Sequence, residues 1–310
     1  MYGKRFAPHV HMFFLTFAQS TATSFMLMFV EAVDYHAPEA KKDFVASILR
    51  KGFAVLKNHP ISPTLIESAY QEWNLYFNSP EKMNDVFDPK VQAGYFPFQS
   101  ENAKDQAEKD LKEFYHYYDW HTLPTQAQEH TPRLRLELIE LASKLLGWIE
   151  QETPQNIREH FSIPLHEFIK GSTQTLLRAI HYPPLSGDEQ EGAVRAAAHE
   201  DINLITLLPA SSAPGLEVQD LDGHWHEVSC DPGMIVINSG DMLKEASDGY
   251  YPSTSHRVIN PSGELAKISR YSLPLFLHAR ADVRISSRHT QQSYLRERLI
   301  ELGLIEDSKA

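Results

Sequence analysis

Ala198-His199-Glu200-Asp201-Ile202-Asn203-Leu204-Ile205-Thr206-Leu207-Leu208 is the run that combines metal-ligating and strand-forming residues in this chain. In an extended segment, alternate side chains point to the same face. We therefore expect His199 and Asp201 to face one cavity, while Glu200 points elsewhere. A random His-x-Asp pair is more often a surface or structural feature, so the interpretation depends on what surrounds it.

A third ligand for such a site must come from a distant part of the chain, on an adjacent strand. His256 is the candidate, within Ser253-Thr254-Ser255-His256-Arg257-Val258. Two imidazoles and one carboxylate on one face leave three coordination positions open. That donor set suits iron(II) oxygen chemistry, because a cosubstrate and O₂ need adjacent positions.

The segment Arg270-Tyr271-Ser272 follows His256 and again places two polar side chains on one face. A guanidinium binds a carboxylate through two parallel hydrogen bonds, and a hydroxyl can add a third. The alternative for Arg270 is a surface salt bridge. Apolar residues on both sides favour an interior strand, where an unpaired arginine would be costly. The pair therefore predicts an anchor for an anionic molecule.

Short apolar runs separated by turn signals follow one another from about residue 173. They predict several closely spaced strands, which indicate a barrel or sandwich rather than alternating β and α units. Asp222-Gly223 predicts a hairpin in which both central residues adopt positive φ. The predicted strand runs are Leu176–Tyr182, Ile202–Leu208, Leu216–Val218, Met234–Ile237 and Ile268–Leu277.

Helices are predicted mainly in the first half of the chain and at its end, where apolar residues recur at intervals of three and four. Proline at a helix start and glycine just beyond its end support the limits. The predicted helices run from about 38 to 52, 62 to 78, 131 to 153 and 289 to 302.

Composition excludes some functions and leaves others open. A formal net charge of -12, with no cluster of lysine and arginine, does not fit binding to nucleic acid. Polar residues interrupt the apolar start of the chain, so no span of a membrane is expected there. We interpret residues 1 to 30 as an extension rather than a secretory signal, and the single cysteine, Cys230, as a turn residue in a reducing, cytoplasmic compartment.

Several of these segments together resemble the isopenicillin N synthase-like family of iron(II)/2-oxoglutarate-dependent oxygenases. The resemblance spans residues 30 to 280 and depends on motifs in register, which makes it more specific than any single motif. Beyond the three segments quoted above, the matching runs are Gly52-Phe53-Ala54-Val55, Asn58-His59, Pro214-Gly215-Leu216-Glu217-Val218, Gly223-His224-Trp225 and Asn238-Ser239-Gly240-Asp241-Met242-Leu243.

The resemblance implies one α+β oxygenase domain over residues 31 to 310, with a double-stranded β-helix (jelly-roll) core. It implies a mostly helical part at 31 to 165, the jelly-roll core at 170 to 285, and a C-terminal helix at 287 to 304. Fe(II), 2-oxoglutarate and O₂ are the expected cofactor and cosubstrates, with ascorbate as a reductant.

The resemblance also implies roles for individual residues. His199, Asp201 and His256 would hold the metal, and Arg270 and Ser272 would bind the far carboxylate of 2-oxoglutarate. Tyr182 matches a tyrosine that often contacts the cosubstrate, although Ile180 replaces a frequent asparagine beside it. The candidates for the substrate pocket are Arg195, Phe114, His116 and Tyr95, although aromatic residues are more often part of the core than contacts of a substrate.

The expected reaction is oxidation, by default hydroxylation, of a small organic molecule with release of succinate and CO₂. One alternative is an oxidase similar to isopenicillin N synthase or aminocyclopropane-carboxylate oxidase, in which the anchor binds another carboxylate. Another is a binding protein without catalysis. Intact ligands and anchor weigh against the second alternative. We expect His224 and His226 to be surface residues without a carboxylate partner. The substrate and the choice between monomer and dimer stay open.

Overall fold

The computed structural model describes residues 30–88, 90–101, 108–229 and 231–301. The expectations for residues 1 to 29, for Cys230 and for the end of the last helix at Leu302 and Gly303 lie outside these ranges. The division of the chain into an extension and one oxygenase domain stays a prediction.

Within these ranges, the chain forms thirteen strands and seven α-helices. The strands are β1 (Ala32–Asp34), β2 (Phe53–Lys57), β3 (Gly94–Phe96), β4 (Glu113–Tyr117), β5 (Leu176–Tyr182), β6 (Ala196–His199), β7 (Ile205–Pro209), β8 (Leu216–Gln219), β9 (Trp225–Glu227), β10 (Ile235–Ser239), β11 (His256–Val258), β12 (Arg270–Ser272) and β13 (Leu275–Leu277). The helices are α1 (Ala40–Lys51), α2 (Pro63–Phe77), α3 (Thr131–Glu152), α4 (Gln155–Arg158), α5 (Leu165–Phe168), α6 (Asp241–Ala246) and α7 (Gln291–Glu301).

The strands of the described part form two sheets. The larger sheet has nine strands in the order β1-β2-β10-β7-β13-β5-β4-β3, with β12 also paired to β5. The smaller has four strands in the order β6-β11-β8-β9. All strand pairs are antiparallel except β1 with β2. This arrangement confirms the predicted α+β fold with a double-stranded β-helix core.

The larger sheet separates two apolar clusters, because successive side chains alternate between its faces. One face packs against the helices and contributes Ala54, Tyr115 and Leu207 to the helix-side core. The opposite face contributes Phe114 and Tyr182 to a second cluster, which also contains residues of the smaller sheet. We call the space between the two sheets the cavity. Successive side chains of one strand therefore point alternately into the helix-side core and into the cavity.

The N-terminal helices are fixed to one another by polar groups as well as by apolar packing. Glu72 on α2 is buried and accepts hydrogen bonds from His130 N (2.6 Å) and Thr131 N (3.0 Å) at the start of α3. These are backbone N–H groups that a helix start leaves without intrahelical acceptors. Gly52 ends α1 with φ +69°, and a Cβ there would lie 2.1 Å from Thr254 Oγ1.

The structure corrects three expectations about strands and turns. The run Ile202–Leu208 forms a strand only from Ile205, because the preceding residues bend at the site described below. The run Ile268–Leu277 divides into β12 and β13. The hairpin at Asp222-Gly223 is present between β8 and β9, but only Gly223 has positive φ. Asp220 N donates to His224 O at 2.9 Å, so the loop has three residues, with Gly223 as its last, rather than two. No helix among the described residues is long and apolar enough to cross a membrane.

Candidate iron centre

Two strands of the smaller sheet bring the predicted metal ligands together. His199 is the last residue of β6 and pairs in register with His256, the first residue of β11. Asp201 follows in the bend after β6, so the two ligands of the His-x-Asp pair do not lie on one continuous strand as expected. The bend, rather than strand alternation, brings the carboxylate towards the two rings.

The three side chains converge on one point. His199 Nε2 lies 3.9 Å and His256 Nε2 3.8 Å from Asp201 Oδ1. The ligand atoms of all three residues lie within 4.8 Å of one another. The imidazole centroids are 4.4 Å apart, and the edge of Phe53 packs against His256 at 5.5 Å. One metal ion can reach all three donors in this arrangement.

Backbone carbonyls hold both imidazoles in the orientation that a metal requires. His199 Nδ1 lies 2.8 Å from Ala197 O, and His256 Nδ1 lies 3.2 Å from Thr254 O. A carbonyl only accepts, so each Nδ1 donates, and each Nε2 keeps its lone pair for a metal. Removal from bulk water, followed by repulsion from His256, lowers the pKa of His199 to about 4, which keeps that ring neutral.

The two oxygens of Asp201 have different partners. Oδ2 accepts hydrogen bonds from Thr206 Oγ1 at 2.5 Å and Asn238 Nδ2 at 2.8 Å, which leaves Oδ1 towards the histidines. Burial alone raises the pKa of Asp201, but the neighbouring His256 and His199, together with the hydrogen bonds from Thr206 and Asn238, hold the pKa below its usual value. The donor set is therefore two imidazoles and one carboxylate, which fits iron(II).

Arg270 lies on the cavity side of β12 and is 2% exposed. Its Nε donates to Ala213 O at 3.0 Å, and its Nη2 donates to Ser211 Oγ at 3.0 Å. Its Nη1 is buried and has no hydrogen-bond partner within the described ranges. Nor does any described carboxylate form an ion pair with Arg270, so an anion is needed to balance its charge.

Ser272 and Tyr182 surround this guanidinium. Ser272 Oγ lies 3.2 Å from Ser211 Oγ, and Arg270 lies over the Tyr182 ring at 5.1 Å. No pattern in the sequence points to Ser211, Thr206 or Asn238 individually. Hydroxyls and amides are too common for their type alone to indicate a role.

Two of the predicted pocket residues, Phe114 and His116, lie on the cavity face of β4. Phe114 stacks on Phe96, with centroids 4.5 Å apart, and Phe96 stacks on Phe87 at 3.9 Å. His116 Nε2 accepts from Arg178 Nε at 2.9 Å, and its Nδ1 lies 3.0 Å from Gln92 O. We call the stack of Phe87, Phe96 and Phe114 the aromatic wall. His116, which is neutral and has a hydrogen-bond partner at each ring nitrogen, lies beside it.

The other two predicted pocket residues lie elsewhere. Tyr95 is on the opposite face of β3, in the helix-side core, where its hydroxyl bonds to Glu113 Oε2. The structure thus separates Tyr95 from the pocket, since neighbouring positions of a strand face opposite ways. Arg195 is 1% exposed and lies over the Tyr182 ring at 5.9 Å, beside the anchor.

A buried ionic network that the sequence did not predict joins the aromatic wall to β6. We call β6, which carries His199, the metal strand. Lys112 Nζ pairs with Asp110 Oδ2 at 2.8 Å and with Glu101 Oε2 at 3.0 Å. Asp110 Oδ1 accepts the N–H of Ala197 at 3.0 Å, two residues before His199. Glu101 also pairs with Arg178 at 3.4 Å. The network thus supports the strand that carries the first ligand.

His226 corrects one sequence-based expectation. Its Nε2 lies 2.6 Å from Asp220 Oδ2, so it does have a carboxylate partner. His224, with 75% of its side chain exposed, is on the surface as expected, but its Nδ1 also has a carboxylate neighbour, Asp220 Oδ1 at 3.7 Å.

Comparison with known proteins agrees with this geometry. The family model of the 2OG-Fe(II) oxygenase superfamily matches residues 173–279, and that of the non-haem dioxygenase in morphine synthesis N-terminal region matches residues 31–136. A crystal structure of a protein assigned as an oxygenase from Shewanella oneidensis is 50% identical, with a TM-score of 0.81 over 89% of this chain and 99% of that one.

Two further relatives are less similar but span comparable lengths. A 2-oxoglutarate-Fe(II) type oxidoreductase from Aspergillus fumigatus is 28% identical over 280 residues, which cover 80% of each chain. A crystal structure of a protein assigned to the 2OG-Fe(II) oxygenase family from Caulobacter crescentus is 28% identical, with a TM-score of 0.73 over 88% of this chain and 98% of that one.

The chain therefore belongs to the 2OG-Fe(II) oxygenase superfamily, and it is an iron(II)- and 2-oxoglutarate-dependent dioxygenase that acts on a small molecule. The predictions of enzyme class, iron(II) and 2-oxoglutarate are confirmed. The roles of individual residues remain predictions.

Proposed function

We propose that this dioxygenase hydroxylates a C–H bond of a small organic molecule, with His199, Asp201 and His256 as the iron ligands. The observation that supports it is the convergence of their three ligand atoms within 4.8 Å. When bound, iron(II) supplies the activation of O₂ through which 2-oxoglutarate is converted to succinate and CO₂ while the substrate is oxidised.

The side chains have separate tasks in this proposal. The carbonyls of Ala197 and Thr254 keep both imidazoles in the metal-binding tautomer, and Thr206 and Asn238 orient the carboxylate of Asp201. Preformed ligands of this kind lose little freedom when a metal binds.

Arg270 and Ser272 bind the far carboxylate of 2-oxoglutarate in this proposal. Arg270 Nη1 is a buried donor without a partner in the described part of the chain, and the hydroxyl of Ser272 is close to the same guanidinium through Ser211. A carboxylate satisfies both donors and neutralises the buried charge. The aromatic wall of Phe87, Phe96 and Phe114 would exclude water from the reacting molecule.

Succinate release by protein loaded anaerobically with iron(II), then given 2-oxoglutarate, O₂ and ascorbate, tests this proposal. The wild type is expected to form succinate even without its substrate. His256→Ala is expected to lower the rate at least about 100-fold. Arg270→Gln is expected to raise the KM for 2-oxoglutarate at least about 30-fold, because a buried charge pair is lost.

Melting curves of the three proteins serve as the folding control. Tight iron binding without succinate release would favour the alternative in which the anchor binds the carboxylate of the substrate itself. Wild-type iron affinity in a folded His256→Ala variant would refute the ligand assignment.

A further inference from the structure

Two arginines are buried on the cavity side without a carboxylate partner among the described residues. Arg195 is 1% and Arg270 is 2% exposed, and both guanidiniums lie over the ring of Tyr182, at 5.9 Å and 5.1 Å. Two like charges this close, withdrawn from water, are stable only with anions beside them. The far carboxylate of 2-oxoglutarate would neutralise only one of these two buried arginines.

Arg195 retains an unused donor. Its Nη2 donates to Ile268 O at 3.2 Å, but its Nε is buried without a partner in the part of the chain that the structure describes. Its backbone N–H donates to Asn260 Oδ1 at 2.9 Å, which fixes the start of the metal strand independently of the side chain. The guanidinium is therefore not required to hold the backbone in place.

The other cations near the cavity are already balanced. Lys112 and Arg178 are paired with Asp110 and Glu101, so this network is neutral in total. The cavity thus gains no negative charge from these groups that could compensate Arg195.

A formal charge count then leaves the loaded site positive. Iron(II), Arg195 and Arg270 together contribute about four positive charges, whereas Asp201 and the two carboxylates of 2-oxoglutarate contribute about three negative ones. One positive charge remains in a cavity where uncompensated charge is costly. A substrate that carries one negative charge, bound in addition to iron(II) and 2-oxoglutarate, would neutralise this remaining positive charge.

We infer that the primary substrate is an organic acid and that Arg195 binds its carboxylate. This inference rests on the proposed function, since it assumes that 2-oxoglutarate occupies Arg270 and Ser272. The aromatic wall of Phe96 and Phe114 suits an apolar or aromatic body on that acid. The class of substrate is thus an apolar carboxylic acid rather than a neutral or cationic molecule.

Isothermal titration of the iron(II)- and 2-oxoglutarate-loaded protein, without O₂, tests this inference with matched pairs of probes. Phenylacetate is compared with phenylacetamide, and hexanoate with hexanamide, because each pair differs in charge but hardly in shape. The acids are expected to bind at least about 30-fold more tightly than the amides. In Arg195→Gln this preference is expected to disappear, whereas Arg195→Lys retains part of it, since a lysine keeps the charge but not the fork.

A separate titration of 2-oxoglutarate into each iron-loaded protein distinguishes failure of this inference from failure of the proposed function. Arg195→Gln is expected to weaken the binding of the acids more than that of 2-oxoglutarate. Equal binding of acids and amides, no binding of either acid, or a larger loss for 2-oxoglutarate would overturn the role of Arg195. Failure of the wild type to bind 2-oxoglutarate would instead refute the proposed function. If Arg195→Gln does not fold, the acid–amide comparison in the wild type and in Arg195→Lys still decides.

Discussion

At the scale of single residues, the partners of the Asp201 carboxylate are as important as the carboxylate itself. Thr206 Oγ1 donates to Asp201 Oδ2 at 2.5 Å and accepts from Asn203 Nδ2 at 2.9 Å. Thr206→Val removes this donor with little change of shape. We expect the dissociation constant of iron(II) to rise about 10- to 100-fold, because a ligand without its supporting hydrogen bond is less well oriented.

Thr206→Ser is the matched control, since it keeps the hydroxyl and loses only a methyl group. Iron affinity of both variants can be measured by competition with a chromophoric chelator. If Thr206→Val and Thr206→Ser bind iron equally well, the hydroxyl does not orient Asp201.

The sequence could predict the convergence of His199, Asp201 and His256 because imidazoles and carboxylates are few and their pattern is specific. The hydrogen-bond partners of Asp201 could not be predicted from the sequence, and the reason is physical. Thr206 is one position of an apolar strand, and only the bend after β6 turns Asp201 towards it. Tyr95 was misplaced for a related reason, because a one-residue difference in register exchanges the two faces of a strand.

At the scale of elements, the contact between the start of α6 and the bend after β6 fixes the metal strand. Asp241 N donates to Asp201 O at 2.7 Å, and Gly240 N donates to Leu204 O at 3.0 Å. A Cβ at Gly240 would lie 2.2 Å from Asn203 O and 2.7 Å from Asp201 O, both backbone atoms that cannot rotate away.

Gly240→Ala is therefore expected to reduce the free energy of unfolding by about 1–3 kcal/mol, as other overpacked sites do. It should also weaken iron binding, because the bend that carries Asp201 must move. Gly147→Ala on α3 is the control. Apart from its chain neighbours and the backbone of its own helix, no described atom would lie within 4 Å of the new Cβ, and a gain of about 0.5–1 kcal/mol is expected. Urea unfolding of the iron-free proteins measures both changes. Unchanged stability of Gly240→Ala would show that the bend has more freedom than the contacts indicate.

The limits of the helices were more predictable than those of the strands. Pro63 at the start of α2 and Gly52 after α1 act locally through their own backbone preferences. A strand ends where its partner ends, and the partner is distant in the chain. The run Ile268–Leu277 keeps one register against β5, yet it divides at Pro274. Pro274 O accepts from Arg178 N at 3.0 Å, but proline has no N–H to donate in return.

At the scale of the whole molecule, the order of strands across the two sheets depends on long-range pairing. The chain places β2, from its first third, beside β10, from its last third. No local pattern encodes such a pairing, and only the resemblance to a known family made the jelly-roll core an expectation. The same long-range packing isolates ionisable groups from water and links stability to pH.

His116 provides a test of that link. It is buried, its Nε2 accepts from Arg178 Nε, and burial followed by repulsion from Arg178 lowers its pKa to about 3. The unfolded chain, with an ordinary histidine pKa near 6.5, takes up a proton as the pH falls below that value, while the folded protein does not. Stability from the neutral His116 is thus fully present above about pH 6.5 and is lost progressively towards the folded pKa.

Between about pH 7.5 and pH 5 this single residue should account for about 2 kcal/mol of lost free energy of unfolding. In His116→Gln the amide can still accept from Arg178 and donate to Gln92 O, but it does not titrate. We therefore expect its free energy of unfolding, from urea titrations at both pH values, to fall by about 2 kcal/mol less than that of the wild type. His160→Gln, at an exposed histidine, should lose as much as the wild type. An equal loss in all three proteins would mean that His116 is protonated, or reaches water, in the folded state.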